Sequence, residues 1–143
     1  MTESRFRGEY PYNLDDRGRL VVPARFRDAF HAGGVVVMWF NPSLALFTQE
    51  GLDNHVAAAM AKATNTMDRL EIEEFFNSQS YDVELDKQGR ILLSSEMKSH
   101  AEIQQAVMLT GNGSHIRIWS PVMWATQRPQ LRTRVPEILG RSQ

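Results

Sequence analysis

Leu14-Asp15-Asp16-Arg17-Gly18-Arg19-Leu20 is repeated later in the chain, with changes, as Leu85-Asp86-Lys87-Gln88-Gly89-Arg90-Ile91. Both stretches follow the pattern Leu-Asp-x-x-Gly-Arg, lead into aliphatic residues and are offset by 71 positions. After each stretch the sequence predicts a short helix and then two apolar strands separated by a turn. The chain is therefore interpreted as a tandem duplication of one supersecondary unit. Because each unit places an arginine beside a glycine turn, the duplication suggests a surface that contacts a repeating partner.

The composition is that of a globular protein without cysteine chemistry. The chain has 143 residues and a hydrophobic fraction of 42%, which suits one ordinary domain or two small units that share a core. It contains no apolar run long enough for a membrane span and no signal-peptide pattern. The absence of cysteine excludes disulfides, thiolate metal sites and a cysteine nucleophile. These features predict a cytoplasmic protein.

The charged residues are segregated along the chain, although the formal net charge is only −1. That value argues against an indiscriminate nucleic-acid binder but leaves room for a local basic patch. Ten arginines lie near the two ends, at Arg5, Arg7, Arg17, Arg19, Arg25, Arg27, Arg128, Arg132, Arg134 and Arg141. Acidic residues are concentrated in the middle, at Glu71, Glu73, Glu74, Asp82, Glu84 and Asp86. The basic segments are therefore candidates for an anionic partner.

The predicted elements divide the chain into two units, a linker and a tail. Residues 9–51 form the first unit and residues 80–123 the second, each with four short strands and one helix. Residues 52–79 are predicted to form two helices that link the units. Residues 128–143, with two prolines and four arginines, are expected to form a basic, flexible tail.

Each unit is close to the lower size limit for a self-sufficient core, so the two units are expected to complete each other. Burying their apolar strand faces together would give a small closed or interleaved sheet with approximate two-fold symmetry inside one chain. Local signals support the boundaries of the helices. Pro23 suits the start of the first helix, Gly33-Gly34 its end, and Ser94 or Ser95 the cap of its counterpart.

Four motifs together resemble the MraZ family of bacterial transcriptional regulators, which contain two tandem SpoVT/AbrB-like units. They are Arg7-Gly8, the pattern Asn-Leu-Asp-x-x-Gly-Arg-Leu-x-Val-Pro at Asn13–Pro23, the second motif at Leu85–Ile91, and Ile-Trp-Ser-Pro at Ile118–Pro121. The resemblance extends from about residue 6 to residue 125. The two Asp-x-x-x-Arg motifs at this spacing make it specific, whereas either motif alone would be weak.

The resemblance implies an α+β, mainly β fold, in which two β-α-β units form an interleaved double-split barrel with helices linking the units. It implies a ring of identical subunits, bound in the nucleoid to short direct repeats upstream of the division and cell-wall gene cluster. The family usually represses that cluster, including its own operon. Arg19 and Arg90 match the two motif arginines. The chain departs from the pattern at Ser94, where proline is common, at Arg117, where glutamate is usual, and in its acidic linker.

The candidate DNA-binding residues lie at the first repeated turn and around it. Arg17 and Arg19 flank Gly18 and are candidates to bind guanine, since arginine can bind guanine O6 and N7 together. The candidate phosphate contacts are Arg5, Arg7, Arg25 and Arg27. Lys87 and Arg90 of the second turn are weaker candidates, with contact to a neighbouring subunit as the alternative.

Four residues are predicted to build the turns themselves: Asp15, Gly18, Asp86 and Gly89. The aspartates can accept hydrogen bonds from turn amides, and glycine can take a positive φ without steric cost. A purely structural alternative is that the pairs Asp15–Arg19 and Asp86–Arg90 are ion pairs that lock the turns. The two roles are compatible, because an aspartate can orient an arginine that contacts DNA.

Three classes of function compete for this sequence. A DNA-binding regulator fits the twin basic turns best. A protein-interaction module or antitoxin of AbrB type is the alternative, although such antitoxins usually have one unit and a disordered tail. An enzyme would need a converging nucleophile, base and oxyanion site, and no such set is found. The four histidines lack metal-ligand spacing, so no metal site is predicted. The sequence also predicts no cofactor, no small-molecule substrate and no membrane partner.

Overall fold

The structure, a computed structural model, describes residues 6–141 and is a mixed α+β fold. In this range eight strands are formed: β1 (Glu9–Asn13), β2 (Arg19–Val21), β3 (Gly34–Trp39), β4 (Ser43–Phe47), β5 (Ser80–Val83), β6 (Arg90–Leu92), β7 (Ala106–Gly111) and β8 (Ile116–Trp119). The helices are a 3₁₀ segment at Ala24–Phe30, α1 (Gln49–Lys62), α2 (Thr66–Ser78), α3 (Ser95–Ala101) and α4 (Pro121–Arg141).

The strands of the two repeated units are interleaved in the sheets. Six strands form an antiparallel sheet in the order β1-β7-β8-β4-β3-β5, while β2 and β6 form a separate two-stranded ribbon. In the part of the chain described above, four of the six strand pairings join strands from different units. The pairing of β1 with β7 is the counterpart of the pairing of β5 with β3. The chain therefore has an approximate two-fold symmetry, as the repeat predicted.

Closure of the sheet into a barrel is not observed. The strands β1 and β5 are the two edges of the six-stranded sheet, and the ribbon is hydrogen-bonded to neither of them. Of the two arrangements predicted, the interleaved one is therefore observed, as an open six-stranded sheet with a separate ribbon, and the double-split barrel stays a prediction.

The six-stranded sheet is covered on both faces. Successive residues of a strand point to opposite sides, so Val36 and Met38 belong to one apolar cluster while Val35, Val37 and Trp39 belong to another. The first cluster includes the ribbon and α3, and the second packs against α1 and α2. Burial on both faces explains why β3 is a continuous apolar run rather than an alternating one.

The local predictions at the first helices are confirmed with one change of helix type. The segment after Pro23 is a 3₁₀ helix rather than an α-helix and ends before Gly33-Gly34. Ser94 caps α3, because its Oγ accepts a hydrogen bond from the backbone N–H of Met97 at 3.2 Å. These elements hold the residues that follow each repeated turn against the core.

A flexible tail was expected from residue 128. The structure instead continues α4 as one helix to Arg141. The interior prolines Pro129 and Pro136 are seven positions apart, so both lie on one side of the helix. The other side carries apolar residues at helical spacing. Arg128 is fixed near the start of this segment, since its Nε donates to the Glu9 carboxylate at 2.8 Å. None of the described helices is long and apolar enough to cross a membrane.

Candidate nucleic-acid interface

The first repeated turn is built around the carboxylate of Asp15. Its Oδ1 accepts hydrogen bonds from the backbone N–H groups of Arg17 at 2.9 Å and Arg19 at 2.8 Å. Its Oδ2 accepts from Arg19 Nε at 2.7 Å. Gly18 completes the turn with a φ of 76°, a conformation that glycine adopts without steric cost. The turn therefore fixes the direction of the Arg19 side chain.

The second turn reproduces this geometry around Asp86. Oδ1 of Asp86 accepts from the backbone N–H groups of Gln88 and Arg90 at 2.9 Å each, and Oδ2 accepts from Arg90 Nε at 2.8 Å. Gly89 has a φ of 78°. The turn-locking ion pairs that the sequence offered as an alternative are thus both present.

The bonds to the aspartates keep both carboxylates ionised. In each turn the pKa of the carboxyl group is lowered, first by the backbone N–H of the motif arginine and then by its guanidinium. Each aspartate therefore holds its arginine as a charge-assisted pair. In both turns the arginine uses its Nε for this side-chain pair.

The ribbon brings the two turns side by side. Leu20 of β2 faces Ile91 of β6, and both side chains are buried in the core. Because side chains alternate along a strand, Arg19 and Arg90 are on the opposite, outward face. Arg90 Nη1 also reaches Asp15 Oδ2 at 3.4 Å, so the second motif arginine contacts the aspartates of both turns.

Two further cations pack against the glycines of the turns. The Arg27 side chain lies so close to Gly89 that a Cβ atom added to Gly89 would clash with it. Nε of Arg27 donates to the carbonyl of Val22 at 2.9 Å. Lys98 lies against the other turn, with Nζ 3.2 Å from where a Cβ of Gly18 would be. Lys98 follows Arg27 by the repeat offset of 71 positions. The repeat therefore marks Lys98 as a further candidate residue, which the sequence-based set of candidates does not contain.

Not every predicted arginine belongs to this surface. Arg25 donates from Nη1 to the Tyr10 hydroxyl at 2.9 Å, and that hydroxyl donates to the carbonyl of Arg7 at 2.6 Å. Tyr10 precedes Asp15 by five residues, about 16 Å along an extended strand. The Arg25 side chain and the Arg7 backbone therefore meet at Tyr10 of β1, away from the turns. Arg5 lies outside the described residues.

We call the outer face of the ribbon and its two turns the twin-turn surface. Its cations are Arg17, Arg19, Arg27, Lys87, Arg90 and Lys98. Its acids are Asp15, Asp16 and Asp86, so the surface is locally basic in a chain of net charge −1. A two-stranded β-ribbon has the width that the major groove of B-DNA admits. Among the described residues no group of three or more potential His, Asp or Glu ligands could hold a metal ion.

Most of the chain matches a single protein family. The model of the MraZ protein family, described as antitoxin-like, matches residues 5–70 and 76–135, so each matched segment contains one of the two turns. Transcriptional regulator MraZ of Thermomicrobium roseum is 32% identical over 136 residues, which are 95% of this chain and 96% of that protein. The proteins of the same name from Methylobacillus flagellatus and Oenococcus oeni are 35% identical over 130 residues and 33% over 119. They cover 88% and 83% of both chains, respectively.

Proposed function

The chain belongs to the MraZ family and is a DNA-binding transcriptional regulator, and we propose that it recognises its operator through the twin-turn surface. The proposed operator contains short direct repeats upstream of the division and cell-wall gene cluster. We propose further that the protein represses that cluster, including its own operon, and that it acts in the cytoplasm on the nucleoid as a ring of identical subunits.

One observation carries the proposal: each motif arginine is held by Nε against an aspartate, on the outward face of a ribbon that fits the major groove. A guanidinium fixed in this way presents its Nη groups as a fork, and the fork matches O6 and N7 of guanine. The Arg19 side chain donates to Asp15 through Nε alone, whereas Arg90 donates to Asp86 through Nε and to Asp15 through Nη1. Arg19 is therefore proposed as the principal base contact and Arg90 as a secondary one.

The remaining cations of the twin-turn surface are proposed to contact phosphates. Arg17 and Lys87 are exposed at the tips of the turns, where phosphates on either side of the groove would pass. Arg27 and Lys98 flank the ribbon at opposite turns and would hold it in register. Phosphate contacts of this kind give affinity and orientation, while the base contacts give specificity. Arg5, Arg7 and Arg25 remain proposed as outer phosphate contacts.

The proposed ring bears on the form of the operator. Subunits related by a ring's rotation present identical surfaces that all point the same way around the ring. Successive twin-turn surfaces would therefore engage half-sites arranged head to tail. Direct repeats satisfy this arrangement, whereas palindromes suit isologous dimers.

The experiment is a titration of the full chain against its own upstream DNA and against a shuffled duplex, at two salt concentrations. Arg19→Ala is expected to lose about 1–3 kcal/mol per half-site, or roughly 5- to 150-fold in Kd. Arg19→Lys is expected to recover little, because lysine lacks the fork. Arg27→Gln is expected to weaken both duplexes alike and to reduce the salt dependence.

His31→Ala is the control, since His31 is an exposed residue at the end of the 3₁₀ segment, outside the twin-turn surface and on neither α2 nor α4. The proposal fails if the wild-type protein does not distinguish the two duplexes, or if Arg19→Ala binds as well as the control. In either case the protein-interaction or antitoxin function becomes the better candidate, as the antitoxin-like description of the family model suggests.

A further inference from the structure

The helix α4 carries an apolar stripe that the described part of the chain leaves partly exposed. The stripe begins at Trp124, which packs on Trp119 with ring centroids 5.4 Å apart. It continues at helical spacing through Leu131 and Val135, each 41% exposed, and ends near Leu139, which is 60% exposed. The apolar face thus starts on the body of the protein and runs past its edge.

The helix α2 carries a complementary surface. Met67 and Leu70 are 62% and 54% exposed, although both are large and apolar. Glu71 and Glu74 share this side of the helix, at spacings of three and four residues. Beside it, an open groove of about 550 Å³ between α1, α2 and the end of β3 has Phe40 and Phe75 in its lining. The surface combines apolar anchors with a negatively charged rim.

The two helices match in charge and in length. α4 has four arginines and one glutamate, and α2 has four acidic residues and one arginine. The part of α4 from residue 128 to residue 141 is about 21 Å long, and α2 is about 20 Å long. Opposite net charges of equal size favour docking of one helix on the other and oppose pairing of either helix with itself.

The two helices of one chain are connected to opposite edge strands of the sheet. Arg128 ties α4 to Glu9 on β1, which is one edge strand. α2 leads directly into β5, which is the other edge strand. Five strand spacings separate the two edges, or about 24 Å. Because α2 and α4 of one chain lead to different edges of the sheet, the α2 helix that covers α4 is taken to come from a second copy.

We propose that the second half of α4 of one copy docks along α2 of the next copy, in a head-to-tail contact between copies of this chain. The inference deepens the proposed function, because it rests on the ring and names the surface that builds it. A contact between two different patches is heterologous, and it closes into a ring when the rotation between subunits divides a full turn. Neither helix contains a residue of the twin-turn surface, so the contact leaves that surface accessible to DNA.

The test uses charge reversal on each side of the contact. One variant carries Arg134→Glu and Arg141→Glu on α4, and the other carries Glu71→Lys and Glu74→Lys on α2. Arg132 is left unchanged because, with Arg128, it interacts with Glu9 of its own chain. A control variant carries Glu84→Lys and Glu96→Lys, which reverse two exposed acids outside α2. Assembly is measured by sedimentation velocity on the full chain, with far-UV circular dichroism as the check on folding.

Each reversed variant alone is expected to sediment as a 16.3 kDa monomer, and the control is expected to keep the wild-type size. A one-to-one mixture of the two reversed variants has two compatible contacts, wild-type α4 on wild-type α2 and reversed α4 on reversed α2, and is expected to assemble again with the two variants in alternation. The chain with all four reversals has both contacts restored with opposite sign and is expected to assemble again. These last two results depend on a heterologous contact and could not come from misfolding.

Other outcomes would overturn the inference. If both reversed variants keep the wild-type assembly, another surface builds the ring, and the DNA titration still stands. If only the α4 variant dissociates, α4 docks elsewhere than on α2. If the wild-type chain is a monomer, the head-to-tail contact and the ring are both wrong. DNA recognition by Arg19 is tested separately by the Arg19→Ala titration and does not depend on these results.

Discussion

Replacement of His115 by phenylalanine is expected to make the protein more resistant to acid. His115, directly before β8, is 5% exposed, and its ring stacks on Phe47 with centroids 4.5 Å apart. Its Nδ1 lies 2.9 Å from Ser114 Oγ, but its Nε2 has no hydrogen-bond partner among the described atoms. Burial, followed by the charge of Arg117, lowers the pKa of His115 from 6.5 to about 3. The folded protein therefore holds this imidazole neutral.

The sign of the effect follows from the two protonation states. The unfolded chain binds a proton at His115 near pH 6.5, whereas the folded chain binds it only near pH 3. The contribution of the neutral His115 to the free energy of unfolding is complete above pH 6.5. It is lost as the pH falls from 6.5 to about 3. One pH unit corresponds to about 1.4 kcal/mol, so at about pH 4.5 this residue alone costs about 2–3 kcal/mol. That is a large part of the 5–15 kcal/mol that is typical of a folded domain.

The assay is urea unfolding at about pH 7 and about pH 4.5 for the wild type, His115→Phe and a control, His31→Phe. His31 is an exposed histidine at the end of the 3₁₀ segment. Asp15 and Asp86 have lowered pKa values, so they remain largely ionised at the acidic point and change little between the two conditions. Between about pH 7 and about pH 4.5, the free energy of unfolding of the wild type and of the control should fall by about 2–3 kcal/mol more than that of His115→Phe. Equal losses in all three proteins would refute the buried neutral histidine.

The remaining predictions concern the ribbon and its turns. Ile91→Ala is expected to lower the free energy of unfolding by about 2–5 kcal/mol, measured by urea denaturation, because Ile91 is fully buried under the ribbon. Gly89→Ala is expected to cost about 1–3 kcal/mol in the same assay and to weaken DNA binding, since it forces a positive φ on alanine and displaces Arg27. Asp15→Asn should lower the thermal midpoint more than Asp86→Asn at neutral pH, because Asp15 also accepts a bond from the second motif arginine. The difference should shrink as acid protonates the carboxylates, and equal midpoints at neutral pH would show that the bridge contributes nothing.

The turns could be predicted from the sequence because their structure is local. The carboxylate, the glycine and the arginine that build each turn are within five consecutive residues, and the repeat shows them twice. The two-fold relation of the units followed from the same repeat. The same repeat predicts the surface cation Lys98, because Lys98 follows Arg27 by 71 positions.

Contacts between distant parts of the chain could not be predicted in this way. The repeat does not say which strands pair, because strand pairing depends on packing and burial more than on local preference. The bridge from Arg90 to Asp15 exists only because β2 pairs with β6. The length of α4 was also missed, since two prolines suggested a break. Their separation of seven residues places both on one side of the helix, where the rest of the hydrogen bonding is retained.

The interleaving of strands from the two units in one sheet has a consequence for how the chain folds. Glu9 pairs with Thr110, about a hundred residues further along the chain, so the first strand finds its partner only after most of the protein has been synthesised. At roughly 5–20 residues per second, the N-terminal half waits on the ribosome for seconds with its apolar strand faces unpaired. Folding is thus expected to be slow and largely post-translational. A prematurely terminated chain that ends in the linker is expected to aggregate, or to pair with a second truncated chain in place of its own missing half.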